Sequence, residues 1–447
     1  MARKLRIISG RGFLADVAKL SVGTLSGRLI AIIALPFLTR LYSPEDFAIL
    51  ATYLAILGIV SVVACLRIEI AIPLADTDED GANLLALALS ALSSITLITA
   101  LLVSTIPDLL ASWIGTPAIK PYLWLVPLGI AMAGTYSAFQ YWATRMKRFG
   151  DVAHTRVTQS LLGSATMLSM GWLAFTPLGL LLGNAISFGA GGLGLALGAL
   201  RNEAEHLRQI TFSNMLNALR RYKRYPLFSS PESLLNVAGS KLPVLVIAAV
   251  AGTEAGFLML ATQLMTIPMS LLGGSISQVY MSRAPEALRE GQLHALTISI
   301  MRRLAVIGIP SLLVVGLLAP SLVPYVFGTE WARTGVIIAW MVPWIALQFI
   351  ASPVSMALHI TGKQHWAMFL QGVGFAIRNV PLVVVAMSNP ENLVEIFAVG
   401  SAFFYVLYLT VVQVAVGVRT QIIFKTLFGA ALVLLAWGAV LITPTWH

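Results

Sequence analysis

Arg28, Arg67, Lys241 and Arg378 each lie inside an apolar stretch long enough to cross a bilayer, and Glu69 is the one carboxylate that accompanies them. A charge at mid-bilayer depth costs at least about 2.5 kcal/mol, so its default setting is a polar cavity and its default reading is functional. Cations facing a cavity favour an anionic substrate. Each residue also has a purely structural reading. Arg28 sits about ten residues from either end of its helix, too deep to snorkel, and Ser21, Thr24 and Arg28 form one polar stripe at helical spacing. Gln371, Gly374 and Arg378 share a face in the same way, and Lys241 stands beside a Ser233, Asn236, Ser240 stripe. Each is open to cavity lining or to pairing with a neighbouring helix. Arg67 has no such stripe and could reach headgroups or an acid on another helix. On one helix, Arg67 and Glu69 would point to nearly opposite sides.

Other signals carry less. Gly189, Gly191 and Gly194 satisfy a dinucleotide-loop spacing, but they lie inside an apolar run with no strand before it, which points to close helix packing. Six histidines are scattered without metal spacing; His359 and His365 flank one turn and could at most couple protons. No Ser-His-Asp set or paired carboxylates are legible, so neither a catalytic centre nor a metal or cofactor site is expected. Pro36, Pro243, Pro268 and Pro310 fall within apolar runs and read as kinks.

The elements that position these residues follow from composition. The 447 residues are 58% hydrophobic and only 11% charged, with mean hydropathy +0.85. Soluble domains average about 25% charged residues, so the chain reads as an all-α polytopic membrane protein. The net charge of +10 suits topology better than nucleic acid, because the basic residues fall in short loops between apolar runs. Cys65 is the one cysteine, which excludes an intramolecular disulfide. Arg3, Lys4, Arg6, Arg11 and Lys19 precede the first long apolar run, a layout that fits no cleavable signal peptide.

Runs of about 20 apolar residues predict thirteen helices, near 17–40, 46–73, 81–106, 119–143, 153–175, 177–200, 227–251, 254–280, 297–327, 332–360, 365–388, 391–416 and 422–443. With the amino terminus in the cytoplasm, most of the Lys and Arg face that side, against Arg40, Lys120 and Arg333 on the other. The positive-inside rule is therefore met. The acidic Asp76–Asp80 loop falls on the cytoplasmic side, which carboxylates tolerate. Extracytoplasmic loops are short, leaving no domain for a polymerase or other glycan-assembly enzyme.

The chain also resembles itself. The first span carries Arg28 and leads through Glu45 into Leu50-Ala51-Thr52-Tyr53-Leu54; the seventh carries Lys241 and leads through Glu254 into Leu260-Ala261-Thr262-Gln263-Leu264. The expected layout is two six-helix lobes related by a pseudo-two-fold axis along the membrane normal. They are residues 1–200, a basic cytoplasmic linker 201–226, residues 227–416, and an extra carboxyl-terminal helix within 417–447.

Several stretches carry a family resemblance: Leu35-Pro36-Phe37-Leu38-Thr39-Arg40-Leu41-Tyr42-Ser43-Pro44-Glu45-Asp46-Phe47, Arg67-Ile68-Glu69-Ile70-Ala71-Ile72-Pro73-Leu74, and Tyr141-Trp142-Ala143-Thr144-Arg145. In the second half they are Tyr225-Pro226-Leu227-Phe228, Pro268-Met269-Ser270-Leu271-Leu272 with Ser277-Gln278-Val279-Tyr280, and Val326-Phe327-Gly328-Thr329-Glu330-Trp331. From about residue 17 to 416 the chain resembles the O-antigen-type (Wzx-like) flippases of the multidrug/oligosaccharidyl-lipid/polysaccharide exporter superfamily. The resemblance implies a transporter rather than an enzyme, in the bacterial inner membrane, working as a monomer by alternating access. It implies an undecaprenyl-diphosphate-linked oligosaccharide as substrate, moved from the cytoplasmic to the periplasmic leaflet, with Arg28 and Lys241 as the basic cavity residues. Arg378 and Arg67 would add to them. Coupling to H+ or Na+ would fall to Glu69. Thirteen helices depart from the family's usual twelve or fourteen. The competing readings are a multidrug cation antiporter of the same superfamily, which would need acidic cavity groups, and a membrane enzyme of glycan assembly.

Overall fold

The computed structural model describes residues 10–269, 274–387 and 392–441. Arg3, Lys4, Arg6, the stretch Ser270-Leu271-Leu272 and the last residues of the thirteenth expected helix lie outside the described residues. So do the side chains of Arg11, Lys19, Ser21, Gln278, Val279 and His359.

Among the described residues, all long elements are helices. In chain order they are α1 (Gly10–Leu41), α2 (Pro44–Ala64), α3 (Asp78–Thr105), α4 (Pro107–Ile114), α5 (Leu125–Arg145), α6 (Phe149–Trp172) and α7 (Leu178–Asn202). There follow α8 (Ala204–Leu207), α9 (Phe212–Tyr222), α10 (Ser230–Ala251), α11 (Glu254–Pro268), α12 (Gly274–Arg289) and α13 (Leu293–Phe327). The series closes with α14 (Ala332–Val354), α15 (Ala357–Ile360), α16 (Gln364–Ala386), α17 (Leu393–Ala415) and α18 (Thr420–Leu441). Among the described residues, ten helical stretches are long and apolar enough to span a membrane. The fourth and fifth expected spans, α5 and α6, are helical but fall short of that standard, carrying polar residues such as Gln140, Arg156 and Gln159. The eighth, expected over 254–280, is helical on both sides of residues 270–273, which lie outside the described residues, as α11 and α12.

The boundaries have local causes. Ser43 caps α2 in a capping box: its Oγ accepts from the Asp46 N–H and its own N–H donates to Asp46 Oδ2 at 3.0 Å. Pro44 opens the first turn, where its missing N–H costs nothing. Thr77 caps α3, whose first turn holds Asp78, Glu79 and Asp80. The acidic loop thus faces the positive end of a helix dipole. α13 stops at Gly328, whose φ of 109° favours glycine. The turn drops Trp331 into a fully buried site against the edge of Phe257, 5.9 Å between ring centroids.

The chain divides into two compact units, Met1–Lys241 and Leu242–His447. In the first, α5 is flanked by α2, α3 and α7, and α6 bridges α7 and α1. In the second, α14 is flanked by α11, α13 and α17, α16 packs on α17, and α18 touches α14 and α17.

Candidate functional site

α1 is seated by its glycines. A Cβ on Gly23 would lie 2.6 Å from the Ala153 carbonyl oxygen, and one on Gly27 2.6 Å from that of Arg156. This close approach to α6 is what a small-xxx-small pair permits. Arg28 follows Gly27 directly and is exposed on its unit, a lone charge among exposed Leu25, Leu29 and Ile33. Lys241 is half-buried on α10, and its stem runs past Gly58 of α2 at ordinary contact distance. Among the described residues, no carboxylate pairs with Arg28 or Lys241.

Arg378 belongs to the second unit and is held more tightly. Its Nε donates to the Gly374 carbonyl at 2.9 Å, and its guanidinium lies 4.6 Å from the centroid of Phe404 on α17. Such a contact contributes about 0.5–2 kcal/mol. Arg378 is thus anchored in the α16–α17 seam while remaining half-buried.

The helix expected to run unbroken over 46–73 ends at Ala64. Leu66 and Arg67 take positive φ values of 51° and 58°, and a 3₁₀ segment, Ile68–Leu74, follows. Left-handed backbone costs L-residues about 1–2 kcal/mol each, and this turn contains no glycine to relieve it. The break corrects the expectation that Arg67 and Glu69 point apart: their side chains come within 3.9 Å. The pair is only partly satisfied. Arg67 Nε and Glu69 Oε2 are buried with no hydrogen-bond partner among the described residues. Glu69 lies outside the ten candidate spans, and burial raises its carboxyl above the ordinary range, against the pull of its own backbone N–H and of Arg67.

A long-range contact holds the far end of the 3₁₀ segment. Arg145, at the end of α5, donates to the carbonyls of Ile72 at 2.9 Å and Ala75 at 2.8 Å and pairs with Asp78 at 2.9 Å. Three residues earlier, fully buried Trp142 donates to Glu203 Oε2 at 2.7 Å, and Arg148 reaches the same carboxylate at 3.1 Å. On the basic linker, Arg221 pairs with Asp76 and Asp80, and Asn214 donates to Glu79 at 2.8 Å. In the second unit, Arg333 joins Glu254 at 3.0 Å and Glu395 at 2.5 Å. Sequence reasoning missed all of these partners. The Tyr141-Trp142-Ala143-Thr144-Arg145 stretch was the available signal, since a tryptophan N–H and a guanidinium at a helix end both need acceptors.

Of the glycines in the dinucleotide-like spacing, Gly189 and Gly191 allow close packing, since a Cβ on Gly191 would collide with Gln159 and Tyr136 of the adjoining helices, while Gly194 faces only Thr155 at ordinary contact distance. Among the described residues, no group of three or more His, Cys, Asp or Glu could hold a metal ion. Arg28, Arg67, Glu69 and Lys241 lie in the first unit and Arg378 in the second, and only Arg67 and Glu69 touch.

A family model described as polysaccharide biosynthesis protein matches residues 37–335. No curated protein sequence matches the chain. Among solved structures, the chain is similar to the inward closed conformation of the lipid II flippase MurJ (TM-score 0.71, 14% identity, 95% of this chain and 92% of that one). It is similar to an inward-facing multidrug resistance MATE family transporter of the MOP superfamily (TM-score 0.68, 15% identity, 92% and 99%). A third similar structure is a MOP superfamily transporter from Pyrococcus furiosus (TM-score 0.52, 15% identity, 90% and 95%), described as having a binding pocket of reverse polarity that suggests a different function. These likenesses show the fold of a multi-pass membrane transporter of that superfamily.

Proposed function

The chain belongs to the polysaccharide biosynthesis protein family, and on that premise we propose that it flips a polyprenyl-diphosphate-linked oligosaccharide between leaflets by alternating access. The carrying observation is that Arg28 and Lys241, both inside candidate spans, have no carboxylate partner among the described residues. An unpaired cation at that depth is costly unless an anion visits it. A diphosphate supplies that anion, and a guanidinium binds phosphate oxygens through two parallel charge-assisted bonds. The sugars would travel in water while the polyprenyl tail stays in lipid.

Two six-helix lobes with α18 outside them are supported by a repeated neighbour pattern. α5 among α2, α3 and α7 corresponds to α14 among α11, α13 and α17, and α6 on α7 corresponds to α16 on α17. In this reading, Arg28 and Lys241 occupy the first helix of each lobe. Arg378 and Arg67 are proposed as further substrate-binding cations, and the membrane as the bacterial inner membrane with the amino terminus in the cytoplasm. The half-satisfied Arg67–Glu69 pair is the proposed coupling point, where a proton on Glu69 would release Arg67. The named flippase relative supports a lipid-linked cargo. The reversed pocket polarity described for the Pyrococcus furiosus protein supports the idea that this fold is not tied to cationic drugs. A cation antiporter would need acidic groups where this chain places Arg28 and Lys241.

The test is glycan display in a deletion strain carrying Arg28→Ala, Lys241→Ala or both. Each single variant should insert and accumulate normally yet lose about tenfold or more in display, as expected from about 1.5–3 kcal/mol per charged hydrogen bond. Arg28→Lys should recover part of it. Unchanged display in the double variant, or resistance to cationic dyes conferred by the parent, would overturn the reading.

A further inference from the structure

A cavity of about 430 Å³ lies within the second unit, walled by α13, α14, α17 and α18. Its volume falls within the roughly 300–1,000 Å³ of small-molecule sites. The walls are almost wholly apolar, with Met301, Ile309, Leu347 and Leu434 among them. Trp437 closes one part, its Nε1 donating to the Ala339 carbonyl of α14 at 2.9 Å. Gly316 of α13 makes room for that ring, since a Cβ there would collide with it. α18 is therefore pinned near its far end, and the cavity runs along its first half, where Lys425, Gly429 and Ala430 line it.

Five polar side chains break the apolar lining, of which Thr410 and Thr426 donate to carbonyls of their own helices. Arg302, in the third turn of α13, and Lys425, in the second turn of α18, both exposed, line the cavity. Gln413, near the end of α17, also lines it, is 1% exposed, and has neither Oε1 nor Nε2 hydrogen-bonded among the described residues. A buried amide without partners bears the full desolvation cost of its polar atoms. The cost disappears if a ligand completes its bonds.

We propose that this cavity is a binding site for an anionic glycerophospholipid, with its phosphate on Arg302 and Lys425, its glycerol ester oxygens at the Gln413 amide, and an acyl chain along the apolar wall toward Trp437. The two cations match a phosphate-centred headgroup, and they lie at the helix ends that the charge bias places at the anionic cytoplasmic leaflet. The amide chooses between lipid classes. A glycerophospholipid carries ester oxygens just below its phosphate. A polyprenyl phosphate is hydrocarbon from that point on and would leave Gln413 unpaired. The site uses none of Arg28, Arg67, Lys241 or Arg378 and stands apart from the transport reading.

The full chain in detergent would be titrated with phosphatidylglycerol, phosphatidylcholine and undecaprenyl phosphate, following thermal unfolding and the lipid retained in native mass spectrometry. The expected result is one retained phosphatidylglycerol that raises the unfolding midpoint, with little effect of phosphatidylcholine. Apparent affinity should fall tenfold or more in the Arg302→Gln, Lys425→Gln double variant. It should be kept in Arg303→Gln, which removes a neighbouring charge that does not line the cavity. Gln413→Leu should weaken phosphatidylglycerol binding while leaving the lipid-free protein at least as stable as the parent. Equal stabilisation by phosphatidylcholine, unchanged phosphatidylglycerol binding in the double variant, or retention of undecaprenyl phosphate alone would each overturn the proposal.

Discussion

The arginines at the helix ends and the cations inside the spans are treated in opposite ways. At the ends, Arg145, Arg148, Arg221 and Arg333 each engage at least one carboxylate. Within the spans, Arg28 and Lys241 engage none among the described residues, and Arg378 meets a carbonyl and an aromatic face. Several of the chain's few acids are thus committed to pairs that fix where helices start and stop. The cations left over sit where charge is most expensive. That division separates architecture from function more sharply than burial alone, because half-buried Arg333 is tied down while exposed Arg28 is not.

The largest effects should come from breaking the committed pairs. Glu203→Ala removes the acceptor of Trp142 and one partner of Arg148, and Arg333→Ala strands Glu254 and Glu395 together. Losing one member of a buried pair costs about 3–5 kcal/mol, read as a lowered unfolding midpoint in detergent. Arg28→Ala should stay within about 0.5 kcal/mol of the parent. If it costs as much as Glu203→Ala, the division between paired and free cations does not hold.

A subtler effect sharpens the comparison at Arg67 and Glu69, which belong to neither class. Burial raises the Glu69 carboxyl above its unfolded value, so the neutral form is favoured in the folded chain. Stability from this group is fully present below the unfolded carboxylate value of about 4.3. It is lost as pH rises through the folded value. Glu69→Gln fixes the neutral form, so the parent should lose stability relative to that variant as pH rises from about 4 toward neutrality. The loss should be smaller than that at Glu203. A trend of opposite sign would show that the Arg67 ion pair outweighs desolvation and would place both residues with the architectural pairs.

Much of the fold was legible because apolar runs and caps are local. Ser43 with Asp46 and the acidic start of α3 act within four residues of themselves, and the basic loops announced themselves by composition. The break at Leu66–Arg67 was not legible, since no glycine or proline marks it. The 3₁₀ segment that follows it is held at its far end by Arg145, which donates to carbonyls about seventy residues earlier. For the same reason, the two-residue spacing of Arg67 and Glu69 misled: it separates side chains on an α-helix and not across a left-handed turn. Trp142 and Glu203 are 61 positions apart, and Glu203 stands in a stretch that reads as polar linker. For the candidate site, the sequence marked Arg28, Lys241 and Arg378 as lying within long apolar helices, but it put Arg67 there too, which falls outside them. It could not supply which of them lack partners, because pairing is a property of neighbouring helices.

The smallest effect belongs to the pairs at the surface. Arg221 of α9 is raised above its ordinary range chiefly by the charge of Asp76, yet it is solvent-exposed and its partners are too. Exposed pairs contribute little because water and salt screen them. Arg221→Ala should therefore leave the unfolding midpoint almost unchanged and speed amide exchange only in Phe212–Tyr222. The difference should vanish as salt rises toward 1 M, where the screening length falls to about 3 Å. Arg145 engages the same acidic loop through Asp78, but it is almost wholly buried and also serves two backbone carbonyls. The effect of Arg145→Ala should persist in high salt, because hydrogen bonds shielded from solvent are not screened. Parallel loss of both effects with salt would mean that the loop is held by net charge alone, and that Arg145 does not fix the far end of the 3₁₀ segment that follows Arg67.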